Sequence, residues 1–250
     1  MKGRRKRKME ITDIHCHVLP GIDDGARTEE ESLQMLKMAY GQGIRRVFAT
    51  SHGSFMFPSG QPDIILQKCR ALETRARMEI DPEIRVYPGQ EILFSDSVPK
   101  RLEKGELLSL AGSPYVLLEF FPAASFATIY RAVRECSLLA FYPILAHIER
   151  YEALREEGRI GELTEAGAYM QMNYRIIGGK WYEPSVRWCR NLLKREGVHF
   201  LGTDMHNAGT RAPDIKNAMK WLEKNLDETY LARLCRENAE SVLNGVRIPV

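Results

Sequence analysis

Five of the six histidines in this 250-residue chain fall, as several carboxylates do, at the ends of short apolar runs instead of being spread along helix faces. His15-Cys16-His17 puts two imidazoles on one side of an extended segment, because side chains alternate with period two. Cys16 then points the other way, as a small buried hydrophobe. Asp204-Met205-His206 repeats the spacing far along the chain, and His52, Glu91, Glu119 and His147 stand between. Imidazole with carboxylate, and no thiolate, suits divalent Mn, Fe or Zn better than a structural zinc site or a calcium loop. Metal ions within ~4 Å of each other share bridging carboxylates and a hydroxide whose pKa is drawn towards neutrality. Nucleophile and Lewis acid then come together, and the natural chemistry is hydrolysis, most often of phosphate esters. Arg150, in His147-Ile-Glu-Arg, and Arg211, seven residues after Asp204, offer forked donors for phosphate oxygens. Cys-x5-Arg, the spacing of a cysteine-nucleophile phosphatase, occurs at Cys69–Arg75 and Cys189–Arg195. Both copies lie in leucine-bearing helical patterns without glycine, so neither offers the flexible loop that cradles a phosphate.

Elements that could position these groups alternate strand and helix throughout. Strands are expected at Met9–His15, Ile44–Thr50, Ile84–Tyr87, Tyr115–Phe120, Tyr142–Ala146, Tyr169–Asn173 and Val198–Gly202. Helices are expected from Glu29, capped by Thr28 with Glu31 completing a capping box, and from Pro62. Further helices are expected over Ser125–Leu139, Tyr151–Ala166 and Glu183–Arg195, with one or two more in Asp214–Leu243. Seven strands joined by helices imply parallel pairing through right-handed crossovers, a single α/β domain and a closed or nearly closed barrel. In that architecture the strand C-termini meet on one face, where active sites are built. His15, His17, His52, Glu91, Glu119, His147, Asp204 and His206 all end or follow strands, which leaves His199 as a core or surface residue.

Composition sets the bounds. At 44% hydrophobic and 28% charged, the chain is of ordinary globular make-up. It has no apolar run near the ~20 residues of a membrane span and no signal-like h-region. Five scattered cysteines suggest no disulfide framework and point to a reducing cytoplasm. The net charge of +3 comes from Lys2–Lys8, whose six basic side chains, once removed, leave 30 basic against 33 acidic residues. Residues 1–8 read as a flexible arm that could touch an anionic membrane surface, ahead of a catalytic domain over 9–250. No basic stripe or nucleic-acid module is visible, so no nucleic-acid partner is expected.

The motifs resemble those of a known family. Asp13-Ile14-His15-Cys16-His17, Leu19-Pro20-Gly21-Ile22-Asp23-Asp24-Gly25-Ala26, Ala49-Thr50-Ser51-His52, Gly89-Gln90-Glu91 and Leu117-Leu118-Glu119-Phe120 appear in its order. Ala146-His147-Ile148-Glu149-Arg150 and Gly202-Thr203-Asp204-Met205-His206 follow. The chain resembles the PHP-type metal-dependent protein-tyrosine phosphatases of bacterial capsule and exopolysaccharide clusters. The resemblance implies a distorted seven-stranded (β/α) barrel with three divalent metals, commonly Mn²⁺. His15, His17, Glu91 and Asp204 would hold one metal, Glu91, Glu119 and His147 a second, and Asp24, His52 and His206 the third. Arg150 and Arg211 fall on the family's phosphate-binding arginines. The implied substrate is the phosphotyrosine tail of a membrane-anchored bacterial tyrosine kinase, with oligomeric state left open. Four carboxylates against three divalent ions and two arginines leave a surplus of positive charge for a phosphomonoester dianion. The alternatives are a PHP phosphatase of a small metabolite such as histidinol phosphate, and a non-catalytic binder of the kinase tail. Gly53 departs from the pattern, since many members carry a larger residue after the histidine, and a basic arm is not usual in the family.

Overall fold

The structure, a computed structural model, describes residues 9–53 and 60–249; the basic arm at Lys2–Lys8 lies outside them. The described residues form eight strands: β1 (Ile11–Cys16), β2 (Ile44–Ala49), β3 (Arg85–Pro88), β4 (Glu91–Leu93), β5 (Tyr115–Glu119), β6 (Tyr142–Leu145), β7 (Tyr169–Asn173) and β8 (Phe200–Gly202). All ladders are parallel, in a three-stranded set β1-β2-β3 and a five-stranded set β4-β5-β6-β7-β8. Eight strands in two parallel sets thus stand where seven were expected. The third apolar run does not end at Tyr87; it breaks at Gly89-Gln90, so that β3 pairs with β2 and the short β4 pairs with β5.

Main-chain hydrogen bonds outside the ladders join the two sets at the strand ends that carry the histidines. Glu91 N–H donates to Thr50 O and Ser51 O, both at 3.2 Å, and Gly53 N–H donates to Glu91 O at 3.0 Å. On the other side Asp204 N–H donates to His15 O at 2.8 Å, and His17 N–H to Met205 O at 2.9 Å.

The helices are α1 (Glu29–Gln42), α2 (Pro62–Glu79), α3 (Val98–Glu103), α4 (Phe126–Leu138), α5 (Arg159–Glu165), α6 (Tyr174–Ile177), α7 (Pro184–Lys194), α8 (Lys216–Asn225), α9 (Glu228–Ala232) and α10 (Asn238–Leu243). Thr28 Oγ1 accepts from Glu31 N–H at 3.2 Å, as the cap requires, while Glu31 reaches back to Arg27 N–H instead of closing the box on Thr28. The single helix expected over Tyr151–Ala166 is instead a 3₁₀ turn (Glu152–Leu154) followed by α5, because Gly158 takes a positive φ of 87° just before α5 begins. The closing stretch breaks at extended Leu226, and a π turn over Arg233–Glu237 links α9 to α10.

Alternation along the strands separates two layers. Val116, Leu118, Leu145, Met170 and Leu201 pack with helical side chains such as Leu36, Ile65 and Ile129. Their neighbours Tyr115, Leu117, Ile144, Ala146, Tyr169 and Phe200 form a second cluster with Phe48 and Val242. Towards the strand ends this inner set turns polar: Glu119 follows Leu117, Gln171 and Asn173 follow Tyr169, and His147 and Asp204 stand just past β6 and β8. The C-terminal segment fastens the opposite end. Tyr115 OH donates to Val246 O and accepts from Ile248 N–H, both at 2.9 Å, and Tyr169 OH donates to Ile248 O at 2.8 Å. Tyr115→Phe strands the buried Ile248 N–H and should cost about 1–3 kcal/mol. Urea unfolding measures it, and an unchanged midpoint would show that the fastening does not bear on stability.

Candidate metal centre

Glu91, at the start of β4 and 2% exposed, is the hub of the site. Its Oε2 lies 3.2 Å from His15 Nε2, 3.1 Å from His17 Nε2 and 3.3 Å from His52 Nδ1. Its Oε1 lies 2.7 Å from His147 Nε2. Glu119, at the end of β5, adds Oε1 at 3.4 Å from His147 Nε2 and Oε2 at 3.7 Å from His52 Nδ1. Asp204 Oδ1 faces His15 and His17 Nε2 at 3.7 and 3.6 Å, and His206 Nδ1 at 3.5 Å. Half-exposed Asp24 approaches His52 Nε2 at 3.6 Å and His206 Nε2 at 3.5 Å. The structure thus brings all nine sequence-predicted candidates together.

Three overlapping groups could each hold a cation: His15, His17 and Asp204; His52, Glu91 and Glu119; and His17, Asp24, His52 and His206. Beside the sets implied by the sequence, His17 and His52 are each shared between two groups. The donors are imidazole nitrogens and carboxylate oxygens, the set that suits Mn, Fe and Zn. Ring geometry supports the fit. His15 Nε2 and His17 Nε2 face each other at 3.2 Å. The far nitrogen of His17 is committed, with Nδ1–H donating to Asp23 Oδ2 at 2.8 Å. His206 Nδ1–H likewise donates to Asp204 O at 2.9 Å, so both rings turn Nε2 into the cluster.

The backbone is strained at two of these positions. His147 and Asp204 have φ of 33° and 51°, in the left-handed region, at about 1–3 kcal/mol each. Both N–H groups are held, His147 N–H by Gln171 Oε1 at 2.7 Å and Asp204 N–H by His15 O. Close approach explains two glycines. A Cβ on Gly202 would come within 2.7 Å of His15 Cβ, and one on Gly25 within 2.6 Å of His17 Cβ. Gly53 leaves room for the Gln90 amide, 2.8 Å from where a Cβ would stand; that amide ties Gly60 O to Leu108 N–H.

Several residues that position the cluster were not singled out from sequence. Asp23 accepts from His17, from His52 N–H at 2.8 Å and from Gly25 N–H at 3.0 Å. Tyr151 OH meets His147 Nδ1 at 3.3 Å, and Phe120 N–H donates to it at 3.1 Å. Asp13, completely buried, accepts from Thr203 Oγ1 at 2.5 Å and Thr203 N–H at 2.9 Å, clamping β1 to β8. Burial pushes its carboxyl up to about 6 against those bonds. In the sequence Asp13, Asp23 and Thr203 show only as members of the quoted motifs, without a role of their own.

Arg150 and Arg211 reach the cluster from the solvent side, 39% and 37% exposed at their side chains. Arg150 pairs with Asp204 Oδ2, and Arg211 Nη2 lies 3.0 Å from Asp204 Oδ1. His199 stands apart: its Nδ1 accepts from Met170 N–H at 3.1 Å, and burial lowers its pKa to about 4. Cys69 and Cys189 lie within α2 and α7, buried, with thiol pKa values raised by desolvation, so the Cys-x5-Arg matches carry no nucleophile.

Over residues 11–244 the chain matches the family described as capsular polysaccharide synthesis, CpsB/CapC. It belongs to that family. It is 32% identical to the tyrosine-protein phosphatase YwqE of Bacillus subtilis (strain 168), over 95% of this chain and 93% of the relative. It is 31% identical to the tyrosine-protein phosphatase CpsB of Streptococcus pneumoniae, over 93% and 98%. A solved structure from work on YwqE and CpsB, described as unique metal-dependent tyrosine phosphatases, superposes with a TM-score of 0.87 at 31% identity, covering 96% of each chain. A histidinol phosphate phosphatase of Lactococcus lactis shares the fold at a TM-score of 0.55 and 16% identity, over 86% of this chain and 94% of its own. Among the described residues no helix is long and apolar enough to cross a membrane.

Protons occupy the cluster in the absence of cations. Burial opposes charge on His147, but bonds to Glu119 and Glu91 outweigh it and raise its pKa to about 9. His17 is driven well above the usual range in the same way, against burial, by Asp23 and Glu91. Glu91 and Asp204 are held low against burial by the neighbouring imidazoles. A cation must displace the imidazole protons. Mn²⁺ affinity should therefore rise as pH climbs from about 6 towards 9, with proton release. Calorimetry in two buffers of different ionisation heat measures this; affinity flat across that range would mean that no imidazole exchanges a proton for the metal.

Proposed function

We propose that this protein is a metal-dependent protein-tyrosine phosphatase of the cytoplasm. Its substrate would be the phosphorylated tyrosine-bearing tail of a bacterial tyrosine kinase that controls capsule or exopolysaccharide synthesis. The observation that carries this reading is the convergence of five histidines and four carboxylates beneath two half-exposed arginines, in a chain about 30% identical to tyrosine-protein phosphatases along nearly its whole length. The small-metabolite alternative rests on a fold-level likeness at 16% identity and is set aside.

Three divalent ions fit the donor groups, with Mn²⁺ the first choice and Fe or Zn suited to the same donors. His15, His17, Glu91 and Asp204 would hold one, Glu91, Glu119 and His147 a second, and Asp24, His52 and His206 the third. Bound there, the ions supply Lewis acidity and an activated water for attack on phosphorus. Arg150 and Arg211 bind the equatorial phosphate oxygens through their forked donors and meet the charge that gathers on them. Asp204, paired with both arginines, sets where the guanidinium groups stand before substrate arrives. His17 and His206 are kept aimed by the acceptors on their Nδ1 atoms, so little reorganisation is left for the reaction. Phenolate is a good leaving group, so no strong general acid is needed beside the ester oxygen. The arm at residues 1–8 is assigned to weak contact with an anionic membrane surface, ahead of the catalytic domain over 9–250.

The purified protein should hydrolyse p-nitrophenyl phosphate and phosphotyrosine peptides, lose activity to chelator and regain it with Mn²⁺. Full turnover after exhaustive metal removal would overturn the reading. Arg150→Ala should cost about 2.7–4 kcal/mol in kcat/KM, as loss of an oxyanion donor does. An unchanged rate would leave Arg150 a salt-bridge partner of Asp204 and no more.

A further inference from the structure

Strand β7 supplies none of the proposed ligands, yet its last inward-facing residues are two buried amides, Gln171 at 0% and Asn173 at 6% exposed. Gln171 Oε1 lies 2.7 Å from His147 N and 3.0 Å from His15 Nδ1. Its Nε2 lies 2.9 Å from Asn173 Oδ1, and Asn173 Nδ2 lies 3.1 Å from Asp204 Oδ2. One chain of side-chain bonds thus runs from two histidines to a carboxylate.

The polarity of that chain is determined at both ends. A backbone N–H can only donate, so the Gln171 atom beside His147 N is the carbonyl oxygen. An ionised carboxylate can only accept, so the Asn173 atom beside Asp204 is the amide nitrogen. Between them, the Gln171 amide nitrogen donates to the Asn173 oxygen, and every link has a donor facing an acceptor. His15 Nδ1 then meets an oxygen and must carry the ring proton, which leaves its Nε2 lone pair aimed at Glu91, His17 and Asp204. Room for this comes from β8, where a Cβ on Gly202 would stand 2.9 Å from Gln171 Nε2.

We propose that Gln171 and Asn173 are positioning residues, a polarity relay that sets the His15 tautomer for metal ligation and steadies Asp204 from the opposite end. The proposal rests on the metal-centre reading above and adds to it a strand that touches neither metal nor substrate.

The test uses Gln171→Leu, Gln171→Glu and Asn173→Leu in the full chain, with folding checked by circular dichroism. Nitrogen–proton correlation spectra of the metal-free protein in mildly alkaline buffer report the His15 tautomer, and Mn²⁺ titration reports affinity. Wild type should show His15 protonated at Nδ1. Gln171→Leu should shift the ring towards Nε2–H and weaken Mn²⁺ binding on the order of 10–100-fold, the usual cost of losing such a partner. Gln171→Glu keeps an acceptor for His15 and should restore the Nδ1–H form. Asn173→Leu removes the Asp204 contact and the acceptor of Gln171 Nε2 but leaves the Gln171 oxygen on His15; it should weaken Mn²⁺ binding while leaving the His15 tautomer unchanged, and it serves if Gln171→Leu fails to fold. Nδ1–H retained with wild-type Mn²⁺ affinity in Gln171→Leu, or wild-type affinity in Asn173→Leu, would overturn the relay. Wild type that binds no Mn²⁺ while His15 keeps its proton on Nδ1 would instead sink the metal reading alone.

Discussion

A buried carboxylate with four imidazole nitrogens within 3.3 Å cannot stand without positive charge among them. Glu91 has lost nearly all its water, and the cost of stripping an ionised group is large unless it is paired and hydrogen-bonded. His15 and His17 add two Nε2 atoms at 3.2 Å, which repel unless a proton or a cation lies between them. The remaining architecture holds these mutually unfavourable groups in place. Main-chain bonds join the two strand sets at the level of the histidines, and Asp13, two residues before His15, holds Thr203 at the end of β8. Such an arrangement is costly as structure alone and useful once cations are present.

The fold meets this demand through one device repeated from strand to strand. Inward residues are apolar where strands begin and polar where they end, as in Tyr169-Gln171-Asn173 and in Phe200, Gly202 and Asp204. The apolar part fills the interior and is closed by the C-terminal segment, so the polar part rests on a packed base. Rigidity beneath the site lets strained residues survive above it. His147 and Asp204 keep left-handed backbones because their N–H groups are held from β7 and β1. Gly25 and Gly202 serve the same end by letting neighbouring strands and loops approach His17 and His15 more closely than a side chain would allow.

Much of this was legible in the sequence because ligands and strands leave local marks. The x-plus-two spacings of His15/His17 and Asp204/His206, each beside a short apolar run, located the site and its face, and seven of the eight strands showed as apolar runs. Strand β4 did not, since three residues after Gly89-Gln90 carry no alternation. The stretch Tyr151–Ala166 has helical composition, but Gly158 breaks it through a backbone angle that spacing does not encode. Gln171, Asn173 and Tyr151 were missed for a different reason. An amide or hydroxyl within a strand or loop carries no mark until a partner more than twenty residues away comes within hydrogen-bond distance, and only the folded chain supplies that partner.

The proposal that divalent cations, not protons alone, hold this cluster together is tested most directly by anomalous diffraction at the manganese edge from crystals grown with Mn²⁺. Separate peaks are expected among His15, His17 and Asp204, beside Glu91 and Glu119 with His147, and between Asp24, His52 and His206. No anomalous signal at this face, with the imidazoles still bonded directly to the carboxylates, would contradict it.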